Sequence, residues 1–230
     1  MRRRHVFRVA AVFLVLTLSA RAQSSPVRGL YNWIHGTGDA ERGGSAIDLP
    51  DGRAILVRDP DGSLVEVRQG TRAAVSAAKS PREVIATSIG ISVARLPRAL
   101  EFYQGLLGLS VDKTRTAATS ELLLYGLGAG TLTQALVSIP GSASATVVLS
   151  EFSLPPGSTD VATPFAWRLQ DVGSPQFQLQ VADLDALMAR TTAAGYRFLS
   201  VGGKPIQRSF GRFVFAIDPD GVLVEFVEPR

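Results

Sequence analysis

The chain has 230 residues, no cysteine, two histidines and a formal net charge of +4. The absence of cysteine excludes disulfides and thiolate chemistry, and so few histidines argue against a Ser-His-Asp or Cys-His apparatus. Five of the 24 basic residues and no acid lie in the first 22 positions. The rest of the chain therefore has 19 basic and 20 acidic residues. That balance argues against nucleic acid as a partner, because such binding needs a basic surface.

Residues 1–22 have the pattern of a secretory leader. Arginines at positions 2–4 precede an apolar run at 9–18, and Ala20-Arg21-Ala22 is a small-x-small cleavage site. The apolar run has about ten residues, against the roughly 20 that span a bilayer. We therefore predict cleavage after Ala22, export to the periplasm or the extracellular space, and no stable membrane insertion afterwards. An uncleaved membrane anchor is the alternative, and the choice between Sec and Tat export stays open.

A hairpin occurs twice in the sequence. Residues 52–67 align without gaps on 211–226, and nine of the sixteen positions are identical. Each copy reads as an apolar strand, an Asp-Pro-Asp-Gly turn and a second apolar strand that contains a glutamate, Glu66 or Glu225. Proline presets φ in such a turn, aspartate bonds nearby N–H groups, and glycine takes positive φ. One copy alone would be an ordinary hairpin, whereas two copies predict a duplicated unit.

A second repeat lies upstream of the hairpins. Residues 89–96 parallel 177–184, and both alternate between apolar and polar residues as a half-buried strand does. Each stretch continues into an amphipathic helix that a glycine can end, Gly108 in the first copy and Gly195 in the second. The apolar stripes of these helices are predicted to pack in the core.

The order of these elements predicts three units. Complete units cover 84–153 and 174–228, and a shortened unit covers 28–69, with a head-like stretch at 30–41 and little room for a helix. The fold predicted from them is α+β, with tandem βαβββ modules that pair into a curved, barrel-like sheet around a cavity.

Two groups of residues carry a resemblance to a known superfamily. Residues 88–93, followed by 99–103 and 107–109, resemble the opening of a vicinal-oxygen-chelate module, and 218–225 resemble its closing hairpin. This superfamily contains glyoxalases, extradiol dioxygenases and bleomycin-resistance proteins. The resemblance covers most of 84–228 and part of the 28–69 unit. It implies that two modules pair around a shared cavity, where four residues from their first and last strands hold a divalent metal.

The resemblance also implies which positions would hold that metal. On the first strands they are Ser88 and Gln176, where the family usually has histidine, and on the last strand of the third unit the position is Glu225. The metal would be Fe, Mn, Ni or Zn. Glu225 could instead pair with an arginine such as Arg208 or Arg212, and Gln176 could be a loop residue.

The other two units offer fewer ligands. In the 84–153 unit the aligned last-strand position is Val148, and the one nearby acid, Glu151, is a candidate ligand or general base. In the short unit the equivalent positions are Asn32 and Glu66. His35 is interpreted as a loop or interface histidine.

Three functions are compatible with this pattern. The first is binding of a small molecule in a cavity lined by Tyr103, Phe213 and Phe215, with a degenerate metal site. The second is a metal-dependent glyoxalase-type lyase or isomerase, or a dioxygenase, that uses Glu225 and Gln176. The third is a partner-binding protein that uses the sheet edges of the short unit. Modules of this kind pair within one chain or between two chains, so a homodimer is also expected as an alternative.

Overall fold

The computed structural model describes residues 12–18, 45–50, 52–58, 64–69, 84–140, 145–156 and 176–230. Within these ranges twelve strands form an eight-stranded and a four-stranded sheet. The strands are β1 Val12–Leu18, β2 Ile47–Leu49, β3 Gly52–Arg58, β4 Leu64–Gln69, β5 Val84–Val93, β6 Ser110–Thr116, β7 Thr131–Ser138, β8 Ala145–Ser153, β9 Gln176–Gln180, β10 Ile206–Arg208, β11 Gly211–Ile217 and β12 Leu223–Pro229. The helices are α1 Leu96–Leu100, which continues as a π-helical segment Glu101–Leu106, then α2 Thr119–Leu124, α3 Leu184–Ala193 and a 3₁₀ turn Val201–Gly203.

One strand topology occurs three times in the two sheets. In the middle unit β5 runs parallel to β8, and β8, β7 and β6 follow as antiparallel neighbours. In the third unit β9 runs parallel to β12, followed by β11 and β10. In the first unit β1 runs parallel to β4, followed by β3 and β2. The predicted α+β fold of repeated βαβββ units is therefore confirmed, and its curved sheets stay open rather than closing into a barrel.

The first strand of the first unit lies elsewhere in the sequence than predicted. Val12–Leu18 occupies the place between β4 and β5, and its backbone pairs with both strands. A short apolar run is compatible with a β-strand as well as with a leader. The head-like stretch at 30–41, with Asn32 and His35, lies outside the described residues. Cleavage of the leader stays a prediction, and in the described ranges no helix is long and apolar enough to cross a bilayer.

The units are also paired differently from the sequence-based expectation. The sheets of the 84–153 and 174–228 units were expected to enclose one cavity, but the middle unit shares its sheet with the first unit. The third unit packs against the opposite, α1-bearing face of the middle unit. One continuous core joins these two units, and its members include Phe102, Leu149, Phe177 and Phe226. Four odd-numbered residues of β5 and β8 face this core and are apolar, namely Ile91, Val93, Val147 and Leu149.

The Asp-Pro-Asp-Gly turn at 218–221 forms as predicted and also joins the two units. The Asp218 carboxylate accepts N–H bonds from Asp220 at 2.9 Å and Val222 at 2.7 Å. It also accepts the Tyr103 hydroxyl at 2.8 Å, and Asp220 accepts the backbone N–H of Ala94 at 3.0 Å. The turn is therefore fixed to the start of α1 and to the π-helical segment of the middle unit.

The repeated glycines before β3 and β11 have a steric origin. At Gly211 a β-carbon would collide with the carbonyl oxygen of Glu228, and at Gly52 it would lie 3.1 Å from the carbonyl oxygen of Gln69. Both glycines have positive φ, which other residues adopt only with strain. The identity of these two positions in the sequence repeat therefore reflects one close approach of neighbouring strands.

Candidate functional site

The face of the eight-stranded sheet opposite α1 carries a cluster of charged and polar side chains, here called the charged face. It consists of Glu66 and Arg68 on β4, Arg115 on β6, Gln134 on β7 and Ser150 on β8, together with Glu121 of the helix α2 and Tyr125 directly after that helix. The helix α2 lies across it, with Leu124 packed against Leu49 and Ala54 of the first unit. Polar groups of the first two units are thus enclosed between sheet and helix.

Glu66 is the buried carboxylate on the side of the first unit. Its side chain is fully buried, and its Oε1 accepts the Nε–H of Arg68. Its Oε2 accepts the Tyr125 hydroxyl at 2.9 Å. Burial and the negative charge of Glu66 raise the pKa of Tyr125 well above its usual range, so its hydroxyl keeps its proton. Burial opposes the charge of Arg68, but Glu66 outweighs it and raises the pKa of the guanidinium.

Glu121 is the second buried carboxylate and belongs to α2. The Arg115 guanidinium donates to both of its oxygens, at 2.7 and 2.6 Å, in a bidentate arrangement. Arg68 Nη2 lies 3.4 Å from the same carboxylate, and the backbone N–H of Ala118 donates to it at 3.0 Å. Burial alone would raise the pKa of Glu121, but Arg115 outweighs it and lowers that pKa. Glu121 is therefore ionised across the neutral pH range.

Gln134 and Ser150 complete the charged face. The Gln134 side chain donates to the Ser150 hydroxyl at 3.0 Å and accepts from Arg115. The two guanidiniums lie nearer to solvent than the carboxylates. Their side chains are 18% and 28% exposed, against 1% for Glu66 and 4% for Glu121. A molecule that enters from solvent would therefore meet positive charge first.

The donor set of this pair of units does not fit a divalent metal. In the middle unit the first-strand metal position, Ser88, pairs with Thr146, which lies two residues before the last-strand metal position, Val148. In the first unit Leu64 lies two residues before Glu66 and pairs with Phe13, so Phe13 is the corresponding first-strand position. The four positions are thus filled by Phe13, Glu66, Ser88 and Val148. They offer one carboxylate, already bonded to Arg68, and one neutral hydroxyl, which are too few ligands to hold a divalent cation. In the described part of the chain no group of three or more His, Cys, Asp or Glu side chains is placed to hold a metal ion.

The predicted residues Gln176, Glu225, Phe213 and Phe215 belong instead to the second sheet. Phe215 pairs with Glu225 across β11 and β12, and Phe213 contacts Phe215 edge to face at 5.9 Å. Gln178 donates to Glu225 at 2.9 Å, and the backbone of Gln176 pairs with Leu223. Glu225 is therefore hydrogen-bonded to an amide. Of the arginines considered from the sequence, Arg212 pairs with Asp185 and Glu228, and Arg208 bonds the carbonyl oxygen of Gln207.

Glu151 lies on the α1 side of the eight-stranded sheet, away from the charged face. Its Oε2 accepts the backbone N–H of Leu96 at 2.6 Å, at the start of α1. Glu228 holds the equivalent place in the third unit and accepts the N–H of Leu184 at 3.1 Å, at the start of α3. A carboxylate at a helix N-terminus satisfies a free N–H and interacts favourably with the helix dipole. The geometry thus gives Glu151 a structural contact and does not place it beside Ser88, Gln176 or Glu225.

Tyr103 lies in the core rather than in a pocket. Its side chain is fully buried, it stacks on Phe177 with ring centroids 6.3 Å apart, and its hydroxyl is bonded to Asp218. A groove of about 450 Å³ passes beside this junction and is lined by Gly195, Tyr196, Arg197, Phe198, Leu199, Ile217 and Asp218. Both oxygens of Asp218, the one carboxylate among the residues that line this groove, accept hydrogen bonds from the protein. The groove is therefore a weaker candidate for a ligand site than the charged face.

Sequence reasoning missed most of the charged face. Glu66 was singled out by the repeat, but Arg115, Glu121, Gln134 and Tyr125 were not. A signal was present at Gln134, which interrupts an apolar strand and is nearly fully buried. Buried polar groups need partners, so an amide in such a strand indicates a polar network nearby.

Comparison with known proteins agrees with this architecture. Residues 85–226 match the sequence profile of the Glyoxalase/Bleomycin resistance protein/Dioxygenase superfamily. A glyoxalase family protein from Bacillus cereus aligns at 18% identity and a TM-score of 0.52, over 61% of this chain and 90% of that one. Glyoxalase I from Zea mays aligns at 17% identity and a TM-score of 0.58, over 94% of this chain and 66% of that one. None of the curated proteins compared matches the sequence.

The chain therefore belongs to the Glyoxalase/Bleomycin resistance protein/Dioxygenase superfamily. The predicted resemblance to the vicinal-oxygen-chelate proteins is confirmed by this match and by the repeated βαβββ topology. Members of this superfamily commonly use divalent metals, but in the described residues the family positions of the first two units do not form such a site.

Proposed function

We propose that this protein binds a small organic anion at the charged face, between the eight-stranded sheet and α2. The proposal rests on the arrangement of charged groups there, in which the arginines lie nearer to solvent than the carboxylates. Two partly exposed guanidiniums, Arg68 and Arg115, lie over two buried carboxylates, Glu66 and Glu121. Their positive charge faces the solvent and would attract an anion electrostatically.

The buried carboxylates hold the guanidiniums in place. Arg115 is fixed by Glu121 and by Gln134, so its orientation is set before a ligand arrives. Fixing a side chain in advance reduces the entropy that binding must overcome. The ring of Tyr125, which lies edge to face against Phe152 at 5.2 Å, adds apolar surface for the carbon skeleton of a ligand.

The proposal can be tested with three probes of one shape: benzoate, the neutral benzamide and the cationic benzamidine. We expect benzoate to raise the melting temperature in a concentration-dependent way, because a ligand of the native state stabilises it by mass action. The other two probes should give no comparable shift. Equal shifts with all three probes, or none with benzoate at tens of millimolar, would contradict the proposal.

A matched pair of variants locates the binding site. Arg115→Lys keeps the charge but cannot form the bidentate bond to Glu121 that holds the cation in place, and we expect about tenfold weaker benzoate binding, or about 1.4 kcal/mol. Arg212→Lys makes the same change in the third unit and should leave benzoate binding unchanged. If both variants bind benzoate as the unaltered protein does, the anion does not bind at the charged face.

The metal-dependent alternative stays a prediction based on Glu225 and Gln176. Metal binding there can be distinguished from anion binding, because Glu225 and Gln176 belong to the four-stranded sheet and the charged face belongs to the eight-stranded sheet. Titration with Mn, Ni, Zn or Fe and removal with EDTA would be followed by calorimetry and by the melting temperature. Stoichiometric binding that is lost in Glu225→Gln would support this alternative, whereas our proposal expects anion binding to be unaffected by EDTA.

We also propose that the protein is exported and cleaved after Ala22. The support is the leader pattern of the first 22 residues. Cleavage would remove Val12–Leu18, which pairs with both β4 and β5, so benzoate binding should be measured on the full chain and on the chain that begins at Gln23. Mass spectrometry of protein recovered from the periplasm or the medium should give Gln23 as the first residue. An intact Met1 on cytosolic protein would contradict export.

A further inference from the structure

Residues 197–210 form one outer edge of the four-stranded sheet, here called the basic edge. Phe198 bridges to Ala216 and β10 pairs with β11, so this segment runs along β11 on the side away from β12. Between positions 186 and 217 the sequence has no Asp or Glu, but it has five basic residues, Arg190, Arg197, Lys204, Arg208 and Arg212. Such a concentration of one sign of charge attracts an anionic partner.

Three of these cations belong to the basic edge and are available to a partner. Arg197, Lys204 and Arg208 are all exposed. In the part of the chain that the structure describes, none of the three forms an ion pair with a carboxylate. Arg208 donates to the carbonyl oxygen of Gln207, a neutral acceptor that leaves the positive charge in place. The basic edge therefore presents its charge to solvent rather than to the rest of the protein.

The same edge also carries exposed apolar side chains. Three of the four large apolar side chains that are exposed in the described residues belong to it, namely Leu199, Val201 and Phe210. Val201 is 94% exposed and begins the 3₁₀ turn that continues through Gly202 and Gly203. A β-carbon added at either glycine would meet no atom within 4 Å, so this turn projects from the sheet. Exposed apolar groups collected in one place mark a surface for a partner or a membrane.

We propose that the basic edge binds to the surface of a bilayer that contains anionic lipids. Val201 and Phe210 would enter the boundary between headgroups and acyl chains, while Lys204 and Arg208 would contact lipid phosphates. A bilayer suits these observations better than a protein does, because a projecting apolar side chain needs no matching pocket in lipid. Nucleic acid is a poorer match, because the residues after position 22 have 19 basic and 20 acidic side chains.

A fluorescent reporter on the projecting turn tests the proposal. Because the chain has no cysteine, Val201→Cys can be labelled with a dye whose emission shifts to the blue in apolar surroundings. Leu123→Cys provides the matched control, since Leu123 is 53% exposed but belongs to α2. With phosphatidylglycerol vesicles we expect a blue shift at position 201 and none at position 123. Phosphatidylcholine vesicles should give little shift at either position, and salt should reduce the shift because it screens the attraction.

Two results of the reporter experiment would overturn the proposal. One is the absence of a shift at position 201, or equal shifts at positions 201 and 123. The other is a shift with polyglutamate or DNA that phosphatidylglycerol vesicles do not produce, because the partner would then be a polyanion other than a bilayer.

Vesicle co-sedimentation measures what the cations and the apolar turn contribute. Lys204→Gln combined with Arg208→Gln should weaken binding about 25-fold, because each cation at an anionic surface contributes about fivefold. Val201→Ser removes apolar surface that lipid would bury, and should weaken binding about fivefold. Leu123→Ser makes a similar change on α2 and should have no effect.

The leader requires a control of its own, because residues 1–22 contain five arginines and an apolar run. Each variant is therefore compared with the unaltered chain that has the same first residue. If the combined Lys204 and Arg208 variant binds vesicles as the unaltered chain does, the basic edge is not the membrane-binding surface. Benzoate binding at the charged face should be the same in that variant, so failure of this proposal is distinguishable from failure of the proposed function.

Discussion

The first two units and the third unit share one topology but differ in what lies on the sheet face away from the core. In the paired units that face holds a buried ionic network tied together by Arg115 and Glu121. In the third unit the corresponding face presents Phe213, Phe215 and Glu225, whose carboxylate accepts a hydrogen bond from the Gln178 amide. The βαβββ frame therefore sets where the face lies, and the side chains on even or odd strand positions decide its chemistry.

The largest effect in this comparison is expected from breaking the buried network. Arg115→Met leaves Glu121 buried with much of its compensation lost, and we expect the free energy of unfolding to fall by about 3–5 kcal/mol. Arg212→Met removes an arginine from the more exposed pairs with Asp185 and Glu228, and its effect should be much smaller. Urea denaturation of both variants measures the difference. Equal losses would show that the paired units do not depend on the charged face.

The contact between the paired units and the third unit should make stability depend on pH. Burial raises the pKa of Asp218 from 3.8 to about 6, although its hydrogen bonds to Val222, Tyr103 and Asp220 act in the opposite direction. A raised carboxyl pKa gives stability that is present below about pH 4 and is lost as the pH rises through about 6. The loss amounts to about 3 kcal/mol at most.

Denaturation curves between about pH 4 and about pH 7 test this dependence. Asp218→Asn cannot ionise, so the loss of stability over that window should disappear. Tyr103→Phe removes a hydrogen bond that lowers the Asp218 pKa, so the loss should move to higher pH. If Asp218→Asn has the same pH profile as the unaltered protein, the junction does not carry this titration.

The comparison also shows which parts of the fold and of the candidate site could be predicted from the sequence. The repeated hairpins predicted the units because their turn and strand residues act locally, through φ preferences and alternation. Glu66 and Glu225 are identical in that repeat, yet one is buried with Arg68 and the other lies beside Gln178. Their surroundings come from β9 and from α2, which are distant in sequence. Pairing of units depends on such long-range contacts, so the repeat alone did not reveal which two units share a sheet.

The smallest expected effect concerns a position that the paired and third units have in common. Glu151 caps α1 and Glu228 caps α3 from equivalent places on their last strands. Glu151→Ala should lower the free energy of unfolding by about 1 kcal/mol, as the loss of a helix cap does. Glu228→Ala should cost at least as much, because Glu228 also pairs with Arg212. Thermal unfolding compares the two variants, and benzoate affinity provides the control. A Glu151→Ala protein of unchanged stability but altered ligand affinity would show that Glu151 serves the binding site rather than the helix.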